Sequence, residues 1–234
     1  MRLLALAATV LIGCGNVAAT AHDAGPSDGA AGDAAFNPCA PDTCLLADDF
    51  TGATLNGSLW GTATGGGATI TQANGLLTIQ LPAVINAFAD VYSLVGFPTG
   101  TLFEAKVTIN AGQFYDHKAI GFSSSRIDEQ CNAGETDAVM FRSQDGDAYV
   151  ETKAANAYTC DVTTTMYLGG TSTYQIARTA TQVVFTRDGA SRPAVTATLP
   201  TGLLPVRFSA FTYSMNKPMQ PVQIDVDYVF VKRQ

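Results

Sequence analysis

The chain has 234 residues, of which 47% are hydrophobic and 14% charged, and its formal net charge is −7. This length can bury one sizeable core, and all-β sandwiches often reach it as a single domain. Because no basic cluster marks a phosphate-binding surface, the composition excludes nucleic acid as an expected partner. The acidic balance favours solubility and is compatible with cation binding.

The N-terminal residues 1–13 have the form of a signal peptide, with an apolar stretch at 3–12 that is too short to span a bilayer. The run Leu11-Ile12-Gly13-Cys14 resembles the lipobox of bacterial lipoproteins. The resemblance implies that Cys14 receives a lipid and becomes the first residue after cleavage. Because no Asp follows the cysteine, it also implies an exported protein anchored to the outer membrane or cell surface. An ordinary secretory signal with a chance cysteine is the alternative.

Residues 14–44 are rich in Ala, Gly, Asp and Pro and contain almost no large apolar side chain. Such a segment cannot bury enough surface to offset the entropy lost on ordering. We therefore expect a flexible tether that separates the lipid from the folded domain.

Four cysteines remain after Cys14, and in an exported chain they predict two disulfides. Three connectivities can form. The pairing Cys39–Cys44, within a Pro-rich turn, and Cys131–Cys160, between two loop-like stretches, is the one we favour. The sequence has no C-x-x-C pair and only two histidines, which argues against a zinc site.

The folded domain is expected over residues 45–234, and a β-hairpin sets its pattern. Asn74-Gly75 separates two short β-prone runs and readily adopts the left-handed angles of a type I′ turn. After this turn, Leu77, Ile79 and Leu81 alternate with polar residues, which predicts a strand with one face in a core.

Later segments repeat the period-two pattern, most clearly at 101–110, where Phe103, Ala105, Val107 and Ile109 share one face. Further strands are predicted at 118–124, 136–143, 149–153, 174–180, 182–187 and 222–231. No capped segment repeats apolar residues at helical spacing over three turns. A dozen or so short strands joined by turns predict a β-sandwich or barrel.

The segments DDFTGATLNGSLW, NGLLTIQL, LFEAKVTI and VDYVFV occur in this order. Together they resemble the concanavalin A-like lectin/glucanase superfamily over roughly residues 46–232. The resemblance implies an all-β fold, a jelly-roll-like antiparallel β-sandwich with one convex and one concave sheet. It places the ligand groove on the concave side.

The resemblance also allows a catalytic motif to be tested. Laminarinase-like hydrolases of this superfamily carry E-x-D-x-E or E-x-D-x-x-E on one strand, where two carboxylates act as nucleophile and acid/base. Here Glu135 and Asp137 match, but Val139 and Met140 stand where the second Glu would be. We therefore expect no catalytic residues. An atypical laminarinase-like glycoside hydrolase, with Glu151 supplied by a neighbouring strand, is the alternative.

A structural calcium site is implied by the same resemblance, because related hydrolases use the Asp of the closing D-Y-V strand. Asp227 matches that position, and Asp49 near the start of the domain is its candidate partner. Oxygen ligands suit Ca²⁺. The alternative is that Asp227 is an outward-facing strand residue without a metal.

A carbohydrate groove would need exposed aromatic rings that stack on sugars and polar groups that bind hydroxyls. Residues 113–118 (QFYDHK) form the densest cluster of this kind. The candidate ligand-binding residues are Tyr115, Asp116, His117 and Tyr149. Trp60, the only tryptophan, is expected to pack in the core.

The sequence thus predicts a surface-anchored lipoprotein whose noncatalytic β-sandwich module binds carbohydrate. Its expected partners are outer-membrane lipid, through Cys14, and a glycan. Two alternatives remain: the atypical hydrolase described above, and a structural envelope protein with no ligand.

Overall fold

The structure is a computed structural model that describes residues 44–110, 113–126, 137–155, 157–162 and 169–234. Predictions that concern the signal peptide, most of the tether, Cys14, Cys39, Cys131 and Glu135 lie outside these residues and stay predictions. The pairing of Cys44 and Cys160 with those cysteines is therefore also a prediction. Within the described ranges, no helical segment has the length and apolarity needed to cross a bilayer.

The described residues form fifteen strands, and their bounds follow in chain order. They are β1 (Cys44–Asp48), β2 (Trp60–Gly65), β3 (Thr69–Ala73), β4 (Leu76–Leu81), β5 (Phe88–Phe97), β6 (Thr101–Ile109), β7 (Asp116–Ser123), β8 (Ala138–Gln144), β9 (Asp147–Ala154), β10 (Ala157–Val162), β11 (Gly170–Arg178), β12 (Val183–Arg187), β13 (Ala190–Ser191), β14 (Leu204–Thr212) and β15 (Val222–Arg233).

The strands form two antiparallel sheets. Sheet A has the order β13-β12-β11-β6-β15-β4-β3, with β1 also paired to β15, and sheet B has the order β10-β9-β8-β7-β14-β5-β2. The antiparallel β-sandwich predicted from the period-two pattern is confirmed.

Strand β15 joins the two ends of the described chain. One of its edges pairs with β6 along most of its length. Its other edge pairs first with β4, where Val222 stands opposite Leu81, and then with β1, where Cys44 stands opposite Lys232. The first described strand, β1, therefore lies beside the C-terminal half of the last strand, β15.

The hairpin turn at Asn74-Gly75 has the backbone angles that the sequence predicts, and a second turn shares them. Asn74 and Gly75 have φ values of 54° and 74°, and Asp145 and Gly146 have φ values of 51° and 88°. Positive φ at both central residues is the requirement of a type I′ turn, whose twist matches that of paired strands. These two turns fix the register of β3 with β4 and of β8 with β9.

The core lies between the sheets and is rich in aromatic rings. Phe103 of sheet A contacts Phe122 and Phe208 of sheet B, with ring centroids 5.7 Å and 6.3 Å apart. Trp60 is buried, and its indole Nε1 donates to Asp48 Oδ2 at 2.8 Å, so the prediction that it packs in the core is confirmed. Burial of each such side chain contributes about 1.5–3 kcal/mol.

The faces of the two sheets that point away from this core differ. In β6 the outward residues Glu104, Lys106 and Thr108 are partly or fully exposed. In β7 all eight residues are buried, on both faces of the strand. The outward face of sheet B, which we call the outer face, is therefore buried along β7, whereas that of sheet A is exposed along β6.

Candidate functional site

Strand alternation assigns the side chains of the outer face. Ile120, Val139, Phe141, Val150 and Phe208 point into the core, so their neighbours in sequence point outward. The outward residues are Phe88, Asp90 and Tyr92 of β5, Arg207, Ser209 and Phe211 of β14, His117 and Ala119 of β7, Ala138, Met140 and Arg142 of β8, and Tyr149, Glu151 and Lys153 of β9.

The middle of the outer face is apolar. Ala119, Ala138 and Met140 are buried and form a small cluster against Phe211. Met140 of this cluster stands where the E-x-D-x-x-E form of the motif would place its second Glu. The structure has a thioether there instead of a carboxylate.

Glu151 lies beside this apolar cluster, directly across the strand pair from Met140. It is 1% exposed, and its Oε2 lies 2.5 Å from an Arg142 guanidinium nitrogen. Its Oε1 lies 4.0 Å from Lys153 Nζ. Both carboxylate oxygens thus face cations, and the group takes part in a buried ion cluster.

Asp90 anchors a second ion cluster on the other side of the apolar patch. Its carboxylate accepts hydrogen bonds from Arg207 and from the Ser209 hydroxyl. The Arg207 guanidinium also lies over the Tyr92 ring, 4.8 Å from its centroid. Burial raises the pKa of Asp90, and the neighbouring Arg207 and Ser209 act in the opposite direction.

Among the described residues, the outward carboxylates of sheet B lie farther apart than the paired carboxyl groups of glycosidases. Asp90 and Glu151 lie four strands apart, about 19 Å at the usual spacing between strands. Asp147 lies four residues from Glu151 along β9, about 13 Å at the usual rise per residue. Retaining and inverting glycosidases hold their carboxyl groups only about 5–9.5 Å apart.

Asp137 does not face Glu151. It directly precedes β8, and alternation puts it on the side of Val139, the core side. Its Oδ1 accepts a hydrogen bond from the Ala155 backbone N–H at 3.2 Å. Its charge also acts on Arg178, a buried residue of sheet A. The two weak catalytic candidates within the described residues therefore lie on opposite faces of sheet B.

A cleft opens at one end of the outer face, where β5 begins and β14 ends. It encloses about 380 Å³, within the range of small-molecule sites. Its lining residues include Asn86, Phe88, Arg126, Phe211, Tyr213 and Ser214. We call it the end cleft.

Aromatic rings form one wall of the end cleft. His117 stacks on Phe211, with ring centroids 4.1 Å apart and planes 13° from parallel. Tyr213 meets His117 edge-on at 4.8 Å and Tyr115 edge-on at 6.0 Å. The Tyr213 hydroxyl accepts from Gln144 Nε2 at 2.5 Å and donates to an Asp145 carboxylate oxygen at 3.1 Å, which fixes the ring.

His117 serves this wall as a neutral ring. It is 2% exposed, and neither ring nitrogen has a hydrogen-bond partner within the described residues. Burial, followed by the positive charges of Arg142 and Lys118, lowers the pKa of His117 to about 3. The imidazole is therefore uncharged at neutral pH and contributes its apolar surface to Phe211.

The four predicted ligand-binding residues have different environments. Tyr115 is partly exposed and meets the cleft residue Tyr213 edge-on, and His117 stacks on the cleft residue Phe211. Asp116 is fully buried and pairs with Lys118, with Oδ2 2.7 Å from Nζ. Tyr149 is largely buried beside Asp147. None of the four lines the end cleft itself. Tyr115 and His117 both contact Tyr213, which does line it.

The sequence reasoning missed Phe88, Phe211 and Tyr213. Phe88 begins strand β5, Phe211 lies near the end of strand β14, and Tyr213 follows that end. The sequence Phe211-Thr212-Tyr213, with two aromatic residues where a strand meets a loop, could have indicated this part of the site.

The two predicted calcium ligands have other partners. Asp227 forms an ion pair with Lys106 at 2.6 Å, and Asp49 accepts from the Thr51 backbone and hydroxyl at 3.2 Å and 2.8 Å. Within the described residues, no group of three or more His, Cys, Asp and Glu side chains could hold a metal ion. The calcium site remains a prediction.

No family model and no curated protein matches this sequence. Solved structures match it instead. The β-glucanase of Bacillus licheniformis is 10% identical, with 81% of this chain and 98% of that chain covered and a TM-score of 0.64. The domain has the concanavalin A-like jelly-roll fold. The resemblance inferred from the sequence is thus confirmed at the level of the fold.

Two further structures share this concanavalin A-like fold. An immunostimulatory antigen and pseudo-β-1,3-glucanase of Mycobacterium tuberculosis is 15% identical, with 82% and 99% of the two chains covered and a TM-score of 0.62. A structure from work on endo-acting O-glycanases of the human gut microbiota, which initiate mucin breakdown, is 15% identical, with 81% and 99% covered and a TM-score of 0.64. The shared architecture therefore occurs in glucanase, pseudo-glucanase and O-glycanase structures.

Proposed function

We propose that this concanavalin A-like domain binds β-glucan chains without cleaving them. The observation that carries the proposal is the contrast within the outer face of sheet B. Its middle is closed by Ala119, Ala138 and Met140, and its end opens into an aromatic cleft.

The absence of cleavage rests on the carboxylate geometry. Glu151 is engaged by Arg142 and Lys153, and Asp137 lies on the other face of the sheet. A glycosidase needs one carboxylic acid to protonate the leaving oxygen and a second carboxylate to act across the scissile bond. Within the described part of the sheet, no two outward carboxylates support such a pair.

Binding of sugar rests on the lining of the end cleft. Phe211 and Tyr213 provide apolar ring surface, and the Arg126 guanidinium lies over the Phe88 ring, 4.1 Å from its centroid. Asn86 and Ser214 provide groups that can bond to hydroxyls. A concave site with aromatic walls and a few polar groups is the usual form of a small-molecule site. The choice of β-glucan draws on the β-glucanase and pseudo-β-1,3-glucanase that share the fold.

The domain is further proposed to act at the cell surface, attached through a lipid on Cys14 and a tether over residues 14–44. The lipobox-like run and the tether composition support this part of the proposal. Two disulfides, Cys39–Cys44 and Cys131–Cys160, complete it and would suit an exported chain. Replacement of Cys14 by Ser should move the protein from the membrane fraction to the soluble fraction in a Gram-negative host. Peptide mapping without reduction should recover both bridged pairs.

Affinity electrophoresis in gels containing laminarin or mixed-linkage β-glucan tests the binding proposal. The wild-type domain should be retarded, and Phe211→Ala and Tyr213→Ala should each weaken binding at least tenfold, about 1.4 kcal/mol. The matched control is Tyr228→Ala, which removes a half-buried tyrosine from sheet A, on the other side of the sandwich. It should leave the affinity unchanged.

Two outcomes would contradict the proposal. Release of reducing ends from laminarin that is lost in Glu151→Gln or Glu135→Gln would establish the hydrolase alternative. No retardation in either glucan, with a wild-type circular dichroism spectrum, would favour the structural envelope protein.

A further inference from the structure

Tyr115 has a backbone conformation that a tyrosine rarely adopts. Its φ is +69°, in the left-handed region, where a bulky non-glycine residue is a genuine outlier. Asn86 and Asp145, which also have positive φ at this end of the domain, are residue types that tolerate it. A strained residue of this kind costs about 1–3 kcal/mol and persists where its surroundings over-determine it.

The surroundings of Tyr115 do hold it in place. Its backbone N–H donates to an Asp145 carboxylate oxygen at 2.6 Å, and its carbonyl accepts from the Tyr213 N–H at 3.3 Å. Gln113, two residues earlier, is held as well, because its side-chain amide bonds to both the carbonyl and the N–H of Gln220, at 2.8 Å and 2.9 Å. Three separate connections thus hold residues 113–115.

The fixed loop exposes its rings to solvent. Phe114 is 66% exposed and Tyr115 is 38% exposed, and their ring centroids are 6.2 Å apart. Tyr115 in turn lies 6.0 Å from Tyr213, which lines the end cleft. We call Tyr213, Tyr115 and Phe114 the aromatic track, because their rings follow one another from the cleft into solvent.

We infer that the aromatic track is an extended subsite that contacts successive sugar units of a chain leaving the end cleft. The domain then recognises polymer chains in preference to single sugars or disaccharides. This inference rests on the proposed function, since it assumes that the end cleft holds a glucan.

Three observations support the inference. Exposed rings lose unfavourable contact with water when a sugar face covers them, so Phe114 and Tyr115 have apolar area to bury. The rings are pre-organised by the Asp145 and Gln113 bonds, which lowers the entropy lost on binding. The strained residue Tyr115 also lies outside the core cluster, with 38% of its surface exposed.

A length series of laminari-oligosaccharides tests the inference by isothermal titration calorimetry. For the wild-type domain, the affinity should rise severalfold from the disaccharide to the tetrasaccharide and again to the hexasaccharide. Phe114→Ala should lower the affinity for the hexasaccharide at least fivefold and leave that for the disaccharide unchanged. Tyr115→Gly should lower the hexasaccharide affinity by a larger factor than the disaccharide affinity, because its ring also contacts Tyr213 in the cleft wall. The control Tyr158→Ala removes an exposed ring on β10, at the opposite edge of sheet B, and should change neither affinity.

The choice of glycine at position 115 separates binding from folding. Glycine adopts positive φ readily, so Tyr115→Gly should keep a urea midpoint equal to or above that of the wild type. A loss of hexasaccharide affinity in this variant is then a loss of contact and not of structure.

The outcomes separate the two proposals. Equal hexasaccharide affinity in the wild type, Phe114→Ala and Tyr115→Gly, with binding still lost in Phe211→Ala, would overturn the aromatic track and leave the proposed function standing. A wild-type affinity that does not change with the length of the oligosaccharide would also overturn the aromatic track and leave the proposed function standing. No binding of any oligosaccharide by the wild type would overturn the proposed function itself.

Discussion

Strands β6 and β7 follow one another in the chain and obey the same alternation, yet they belong to different sheets and end in different environments. The outward residues of β6 lie partly in water, and those of β7 are buried. Polar side chains on the outward face of sheet A can therefore form hydrogen bonds with water, whereas those on the outer face of sheet B need partners within the protein. The outer face of sheet B consequently carries ion clusters and an aromatic wall, and the candidate site lies at its margin.

The ion pairs of the two sheets show this difference most directly. Lys106 and Asp227 meet at 2.6 Å on sheet A, and each side chain is 43% exposed. Asp90 and Arg207 meet on sheet B, and both are almost fully buried. An exposed pair contributes little because water screens it, whereas removing one partner of a buried pair leaves a charge without compensation.

The largest effect is expected from Asp90→Ala, which leaves the Arg207 guanidinium buried without its carboxylate. The free energy of unfolding should fall by about 3–5 kcal/mol, measured by urea denaturation. The matched control is the double variant Asp90→Leu with Arg207→Met, which replaces both charges by apolar groups and should lose much less. A loss under about 1 kcal/mol in the single variant would show that sheet B does not depend on this pair.

The next effect concerns the pH dependence of stability near His117. Its pKa is lowered to about 3 in the folded state, from an ordinary value near 6.5. Between these values the unfolded state binds the proton and the folded state does not, so stability falls as the pH falls through this window, by at most about 1.4 kcal/mol per pH unit.

The variant His117→Phe keeps a ring against Phe211 but cannot be protonated. Its urea midpoint, measured at about pH 7 and about pH 4.5, should fall less on acidification than that of the wild type. The raised pKa values of Asp90 and Asp116 make stability rise as the pH falls. Because the wild type and His117→Phe share both groups, their contributions cancel in the comparison. Identical acid sensitivity in the two proteins would contradict the buried, neutral histidine.

A smaller effect is expected from Tyr213→Phe, which removes the hydroxyl held by Gln144 and Asp145 but keeps the ring. Stability should fall by about 0.5–1.5 kcal/mol, because two half-buried hydrogen bonds are lost. Laminarin affinity should stay within twofold of the wild type, in contrast to Tyr213→Ala. A tenfold loss of affinity in Tyr213→Phe would assign the binding to the hydroxyl and not to the ring face.

The smallest effect is expected from Asp227→Ala on sheet A. The exposed pair with Lys106 contributes at most about 1 kcal/mol, and high salt should reduce that further. A loss of several kcal/mol that calcium chelation reproduces in the wild type would instead support the predicted metal site at Asp227.

The sequence predicts the core and the sheets well because period-two alternation is set locally. The apolar rows of Phe103, Val107 and Ile109 and of Ile224 and Val226 lie in the core as expected. The outer faces could not be predicted in the same way. Glu104 and Asp90 both read as polar residues between apolar neighbours, and only the packing of the whole domain makes one half-exposed and the other buried.

The candidate site was only partly predictable for a related reason. Residues 113–118 are polar and aromatic within one short segment, so Tyr115 and His117 could be found locally. The remaining wall comes from the start of β5 and the end of β14, where Ala87 bonds to Thr212 across 125 positions of sequence. No local pattern predicts that such distant strand ends meet. The partial E-x-D motif at Glu135 and Asp137 instead indicated a catalytic position at 140, which Met140 occupies with an apolar side chain.

The length of β15 has a practical consequence. Its twelve residues cover about 40 Å at the usual rise per residue, with Val222 near the loops that carry the aromatic rings and Lys232 beside Cys44. Cys44, the first residue that the structure describes, therefore lies at the pole of the domain opposite the end cleft. A sensor chip, bead or reporter protein joined upstream of Cys44 should leave that opening unobstructed, whereas the same graft in the Ser214 loop should block it.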